Sequence, residues 1–235
     1  MNRVNLLKIL DNKTVARLQD IERITGYDSK YAKVLMSRLV KQDLVKKIMR
    51  NSFTTKSDIW TIASNIAAPA YISFWSAASF LGYTEQKPST ITVATTRKIK
   101  SIRFEGYIIK FIPIKKYIFG YKKISSSEGD IFIPEDEKLI IDLMLRPEEC
   151  ANPEEIESII SETNISKEKI ITFLNHTRNQ TLIKRVGFML EKIKKMDLSR
   201  EFNIDNNYIK LYPNIKKYSG NSNKSEKNTK WRIIL

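Results

Sequence analysis

Cysteine and histidine are almost missing: Cys150 and His176 stand alone in 235 residues. A single thiol excludes an internal disulfide and suits a reducing compartment, so a cytoplasmic location is expected. Cys150, which follows Pro147-Glu148-Glu149, reads as an incidental thiol. One imidazole leaves His-based zinc sites and a Ser/His/Asp triad little to work with. His176, near a predicted helix end, reads as a capping or surface residue. The seven glycines are scattered and form neither G-x-G-x-x-G nor a Walker sequence, which excludes a glycine-loop phosphate cradle. No catalytic residue, metal site or cofactor is therefore predicted. The first residues do not read as a secretory signal, with no basic-then-apolar pattern.

Charge is missing from Ile59 to Thr84, a run of 26 residues long enough to span a bilayer. It carries seven Ser, Thr or Asn residues, and Pro69 splits it. Two buried helices meeting at Pro69 are the expected outcome, and no membrane partner is predicted.

Elsewhere charge is abundant and of one sign, a net +15. Residues 1–56 hold 13 Lys and Arg against 5 Asp and Glu, and residues 97–123 hold 9 against 1. Residues 124–235 balance at 18 against 18. A localised excess is what a polyanion partner requires, because affinity for a phosphate backbone scales with the cations presented to it.

Residues 1–56 read as a winged helix-turn-helix. Val4, Leu7 and Leu10 space a first helix over Arg3 to Leu10. In "ARLQDIERITG", residues 16–26, Leu18, Ile21 and Ile24 recur at intervals of three and Gly26 is a C-terminal stop. Asp28 or Ser29 can cap the next helix, "SKYAKVLMSRLVKQ", residues 29–42. At about 100° per residue, Ala32, Leu35, Met36 and Leu39 fall on one side of it. Lys30, Lys33, Ser37 and Lys41 fall opposite, with Val34 among them and Arg38 at the flank. The stretch contains no acid, unlike a solvated helix with mixed i,i+4 pairs. "LVKKIMRNSFTT" then reads as a hairpin with Arg50-Asn51 at its tip. Ser29, Lys30, Lys33, Ser37, Arg38 and Lys41 are thus candidates for the major groove of double-stranded DNA, and Lys46, Lys47 and Arg50 for phosphates. A winged helix used only for protein contacts is the alternative.

Lys56-Ser57-Asp58 reads as a boundary between this domain and a second one over 57–235. Ser57 is a candidate cap for a helix from Ile59 to about Ala67, and Ser73 for one ending at Gly82. Residues 88–133 are strand-rich ("TITVATT", "RFEGYIIKFIPI", "FGYKKI", "DIFI"), and residues 135–196 return to amphipathic helices. Residues 212–235 are a polar tail, loose until Trp231. The expected class is α+β: the winged helix-turn-helix, then a mixed domain with a mostly antiparallel sheet and several helices. The basic segment offers Arg97, Lys98, Lys100, Arg103, Lys110, Lys115, Lys116, Lys122 and Lys123 as a possible second nucleic-acid or protein surface.

An enzyme reading exists as well. Asp130, Asp136 and Lys138 in "GDIFIPEDEK" imitate the acid-then-acid-x-Lys order of metal-dependent nucleases. Pro134 separates the two acids, however, and Glu135 to Lys138 opens a helix, whose first turn favours acids anyway.

Several ordered motifs carry a resemblance. "YISFWSAASFLGYTEQKP" places Tyr71, Ile72, Ser73, Ser76 and Ala77 ahead of Gly82, Thr84, Gln86 and Pro88. Glu137, Lys138, Asp142 and Pro147 follow on one predicted helix and its exit, then Lys184, Arg185, Gly187 and Glu191 on another, and "KWRI" near the end. Together they resemble the AbiEi-type antitoxins of abortive-infection toxin–antitoxin systems. Asn51, and "CANPEE" after Pro147, replace glycines frequent in that family, so no function is carried onto residues 148–154. The resemblance implies a winged helix that represses its own operon at an inverted-repeat operator. It also implies a C-terminal domain that counteracts a nucleotidyltransferase toxin without a stable complex. Segment 97–123 would then hold DNA beside the winged helix, or meet RNA that the toxin modifies. A transcription regulator of the same fold without a toxin is the alternative.

Overall fold

A computed structural model describes residues 3–150, 152–213 and 226–235. The described residues form a mixed α+β structure whose backbone packing divides into two compact units. The first comprises residues up to 72 together with 89–115 and 122–133. The second comprises 73–88, 116–121 and 134 onward.

The first unit opens with α1 (Arg3–Asp11), β1 (Ala16–Arg17), α2 (Leu18–Thr25) and α3 (Ser29–Lys41). A hairpin of β2 (Lys46–Met49) and β3 (Ser52–Thr54) follows. Leu6, Leu10, Leu18, Ile21, Ala32, Met36, Leu39, Val45 and Phe53 share one core beneath these elements. Ala16 and Arg17 were expected to begin α2; instead they pair antiparallel with Phe53 and Ser52, giving a three-stranded sheet in the order β1-β3-β2. Helix begins only at Leu18, where the Asp20 carboxylate accepts the Arg17 N–H at 2.9 Å. It stops at Gly26, whose φ of 73° needs no Cβ to be accommodated. Of the two possible caps for α3, Asp28 takes the role, accepting the Tyr31 N–H at 2.8 Å, and Ser29 is the first helical residue. At the hairpin tip Asn51 adopts φ 60°, a conformation asparagine tolerates.

The junction differs from expectation. Asp58, not Ser57, caps α4 (Ile59–Asn65), accepting N–H groups of Trp60 and Thr61. Ser57 instead faces Glu128 of the β8–β9 turn (β8, Tyr121–Ser126; β9, Gly129–Pro134), whose carboxylate also accepts the Asp58 N–H. After Pro69 the chain forms a strand, β4 (Ala70–Ile72), where the uncharged run was expected to be helical. No described helix is long and apolar enough to cross a membrane.

β4 edges a four-stranded sheet with β5 (Thr90–Thr95), β6 (Ile102–Phe104) and β7 (Tyr107–Pro113), in the order β4-β5-β7-β6. Two of its three pairings are antiparallel, as expected of a mostly antiparallel sheet, and the central one is not. β5 and β7 pair parallel, in register from Thr90↔Ile108 to Thr95↔Pro113. Parallel neighbours cannot be joined by a tight turn. Residues 96–101 therefore leave the end of β5 and cross over, and β6 then returns through the Glu105-Gly106 turn into β7. Arg97 and Lys98 lie in that connection.

The second unit holds α5 (Phe74–Phe80), α6 (Asp136–Leu145), α7 (Pro153–Glu162), α8 (Lys167–Thr177) and α9 (Gln180–Lys194). Ser73 was expected to cap α5 with its hydroxyl; that hydroxyl instead donates to Asp142 Oδ2 at 2.7 Å in the interior. Lys138, also fully buried, donates to the other oxygen of Asp142. Near the chain end β10 (Ile209–Lys210), β12 (Ile233–Ile234) and β11 (Lys227–Asn228) form a small sheet. Trp231 is buried against Gly187, where an added Cβ would overlap the indole ring. The loose-tail expectation falls largely on residues 214–225, outside the described residues.

Candidate nucleic-acid interface

Helix α3 separates its faces as the periodicity requires. Ala32, Met36 and Leu39 are buried and Leu35 is half-buried. Ser29, Lys30, Lys33, Ser37, Arg38 and Lys41 are all exposed. Val34 shares that face and is 43% exposed. From Ser29 to Lys41 the helix carries no carboxylate, so every charged side chain on this face is a cation. Tyr31, also exposed, meets the Tyr27 ring edge-on at 4.6 Å, which steadies the entry to the helix.

The hairpin divides its cations. Lys47 and Arg50 are exposed, but Lys46 is half-buried and pairs with Glu105 at 3.2 Å. Glu105 lies in the β6–β7 turn, far away in sequence, so this partner was invisible to local reading.

Two cations of the second basic segment line a cleft with residues of the first 56. Arg97 and Lys98 join Lys33 and Arg50 around a cleft of about 620 Å³, together with Arg17. The sequence reading missed Arg17; only the β1–β3 pairing brings it here, and its guanidinium reaches the Ile66 carbonyl at 3.5 Å. Lys100 and Arg103 are exposed and Lys110 half-buried, and none of them lines the cleft. Lys115 and Lys116 open a 3-10 turn (Lys115–Tyr117), and Lys122 and Lys123 lie on β8, with Lys123 paired to Asp130 at 3.0 Å.

The residues of the nuclease-like pattern have other work. Asp130 accepts the Ser125 hydroxyl as well as pairing with Lys123, which holds its carboxyl below the usual carboxylate range. Asp136 accepts the Tyr83 hydroxyl at 2.8 Å and the Asn164 N–H at 2.9 Å. Lys138 is enclosed with Asp142. No group of three or more His, Cys, Asp or Glu side chains suited to a metal ion occurs among the described residues. His176 is exposed at the end of α8, its ring edge-on to Phe119 at 4.6 Å, and Cys150 is buried.

The motif residues behind the family resemblance are mostly interior. Tyr71, Ile72, Ser73, Ser76, Ala77, Lys138, Asp142 and Lys184 are buried, and Gly187 admits Trp231. Arg185 donates to the Met144 and Lys210 carbonyls, and Glu191 accepts the Trp231 indole N–H. These buried residues hold the interior of the fold, while Gly82 and Gln86 of the same motifs are exposed.

No family model matches the sequence, and no curated protein matches it. Among solved structures, the chain is similar to the RV2827C protein from Mycobacterium tuberculosis, with a TM-score of 0.57 and 13% identity. The likeness covers 98% of this chain and 90% of that one, and at such identity it concerns the fold alone.

Proposed function

We propose that the chain is a cytosolic, non-catalytic DNA-binding repressor whose first three helices and hairpin act as a winged helix-turn-helix. The observation that carries this is the carboxylate-free exposed face of α3, set opposite a face closed into the core. Lys33 and Ser37, one turn apart toward its N-terminal half, are assigned to base edges in the major groove. Lys30, Arg38, Lys41, Lys47 and Arg50 are assigned to phosphates. Lys46 is given a smaller part because Glu105 already engages it.

The biological reading follows the resemblance to AbiEi-type antitoxins. The protein would repress its own operon at inverted repeats and counteract a nucleotidyltransferase toxin through its second part, functionally and without a stable complex. Support for the toxin role is the ordered run of motif residues; their burial adds support to the fold only. A nucleotidyltransferase gene beside this one, lethal alone and tolerated on co-expression, is the expected outcome. A neighbourhood without it leaves the stand-alone regulator.

Fluorescence anisotropy against the duplex upstream of the gene tests the DNA reading. With about five cations on phosphates, log K should fall against log salt with a slope of about −4 to −5. A flat salt response would sink the reading.

A further inference from the structure

We propose that the cleft beside α3 is a binding site for a small phosphorylated ligand of the nucleotide class. The cleft, about 620 Å³, falls within the range that small-molecule sites occupy. Five cations line it (Arg17, Lys33, Arg50, Arg97 and Lys98) against one carboxylate, Glu22. Among the described residues none of the five is held in an ion pair, so their charge remains available to an anion. No glycine loop is needed for such a contact, since guanidinium and ammonium groups meet phosphate directly.

The remaining walls decide the ligand class. Met49 and Ile99, each partly exposed, offer apolar surface within the cleft; Leu18, Ile66 and Ala67 also line it but are buried. A duplex backbone is a charged, hydrated ridge that gains nothing from an apolar wall. A nucleotide matches both parts, its phosphates against the cations and the face of its base against the apolar wall. Arg97 and Lys98 reach the cleft from the connection that follows β5.

The site has a regulatory consequence, which rests on the DNA reading above. Lys33 and Arg50 belong to the cleft and to the proposed duplex contacts alike, so ligand and duplex exclude one another.

The test uses the full chain and a methylanthraniloyl-labelled ATP as a fluorescent probe, with unlabelled ATP, GTP and inorganic phosphate as competitors. Saturable binding, displaced by unlabelled nucleotide more readily than by phosphate, is expected. The Arg97→Ala/Lys98→Ala variant should lose about tenfold or more in probe affinity, because two charge-assisted contacts go. Lys8→Ala, on α1 and outside the cleft, should leave it unchanged. No binding at about 1 mM probe, or equal affinity in the Arg97→Ala/Lys98→Ala variant, overturns the proposal. Displacement by phosphate as readily as by nucleotide also overturns it, since the apolar wall would then contribute nothing. Duplex binding is read separately: a chain that binds duplex but no probe refutes the ligand site, whereas one that binds probe but no duplex refutes only the repressor reading.

Discussion

Replacing Asp142 with asparagine should be among the most damaging isosteric changes available to this chain. Asp142 and Lys138 are both fully enclosed, one helical turn apart on α6, and Ser73 donates to the second carboxylate oxygen at 2.7 Å. Burial pushes the Lys138 ammonium below its usual pKa, and the Asp142 charge and hydrogen bond oppose that shift. Asparagine keeps the shape and removes the opposition. Breaking one side of a buried ion pair costs about 3–5 kcal/mol, because the remaining charge keeps its desolvation penalty. For a chain of this length that corresponds to roughly 6–20 °C in Tm. Phe119 presents its ring 5.0 Å from the ammonium and offsets only part of the loss.

The pH response gives the sharper test. With a folded pKa below the unfolded one, Lys138 binds fewer protons when folded. The stability of Asp142→Asn should therefore rise with pH, from the depressed folded pKa up to about 10.5. Urea unfolding followed by tryptophan fluorescence across that window measures it, with Trp231 reporting from the same unit. The double change Lys138→Met/Asp142→Leu removes both charges at similar volume and should recover most of the loss. A cost below about 1 kcal/mol for Asp142→Asn, with a double variant worse than the single one, would refute the reasoning.

Three further outcomes are expected. Lys33→Ala should narrow the gap between operator and random duplex by roughly 1–3 kcal/mol, whereas Lys41→Ala should weaken both alike; equal losses for the two variants would mean that α3 only grips the backbone. Glu105→Gln releases Lys46 from its 3.2 Å pair, so duplex affinity should increase and the salt slope steepen by about one; an unchanged slope would place Lys46 outside the interface. Glu128 is held below the usual carboxylate range by the Asp58 N–H and the Ser57 hydroxyl, so its contribution is present above that range and disappears as pH falls through the folded pKa. Glu128→Gln should accordingly flatten the acid limb of a melting curve, and an acid limb identical to that of the unmodified chain would remove Glu128 from the account.

Sequence by itself determined the features governed by neighbours along the chain. The two faces of α3, the stop at Gly26, the Arg50-Asn51 tip and the helical character of residues 135–196 follow from periodicity and capping over a few residues. Charge segregation was equally legible, because composition needs no geometry. Tertiary structure decided whatever depended on a distant partner. Ala16 and Arg17 have helical neighbours but lie across from Phe53, so they are strand, and Arg17 enters the cleft. Ser73 stands where a cap belongs, yet a buried carboxylate 69 residues away takes its hydroxyl, since an enclosed charge gains more from that bond than a helix end does. Lys46 reads as a wing cation until Glu105 arrives on another hairpin. Arg97 and Lys98 line a cleft whose other cations, Arg17, Lys33 and Arg50, come from the first 56 residues, a meeting that no local rule predicts. Short-range rules place a side chain on a face; which charges and walls that face meets is fixed only when strands from remote parts of the chain choose their partners.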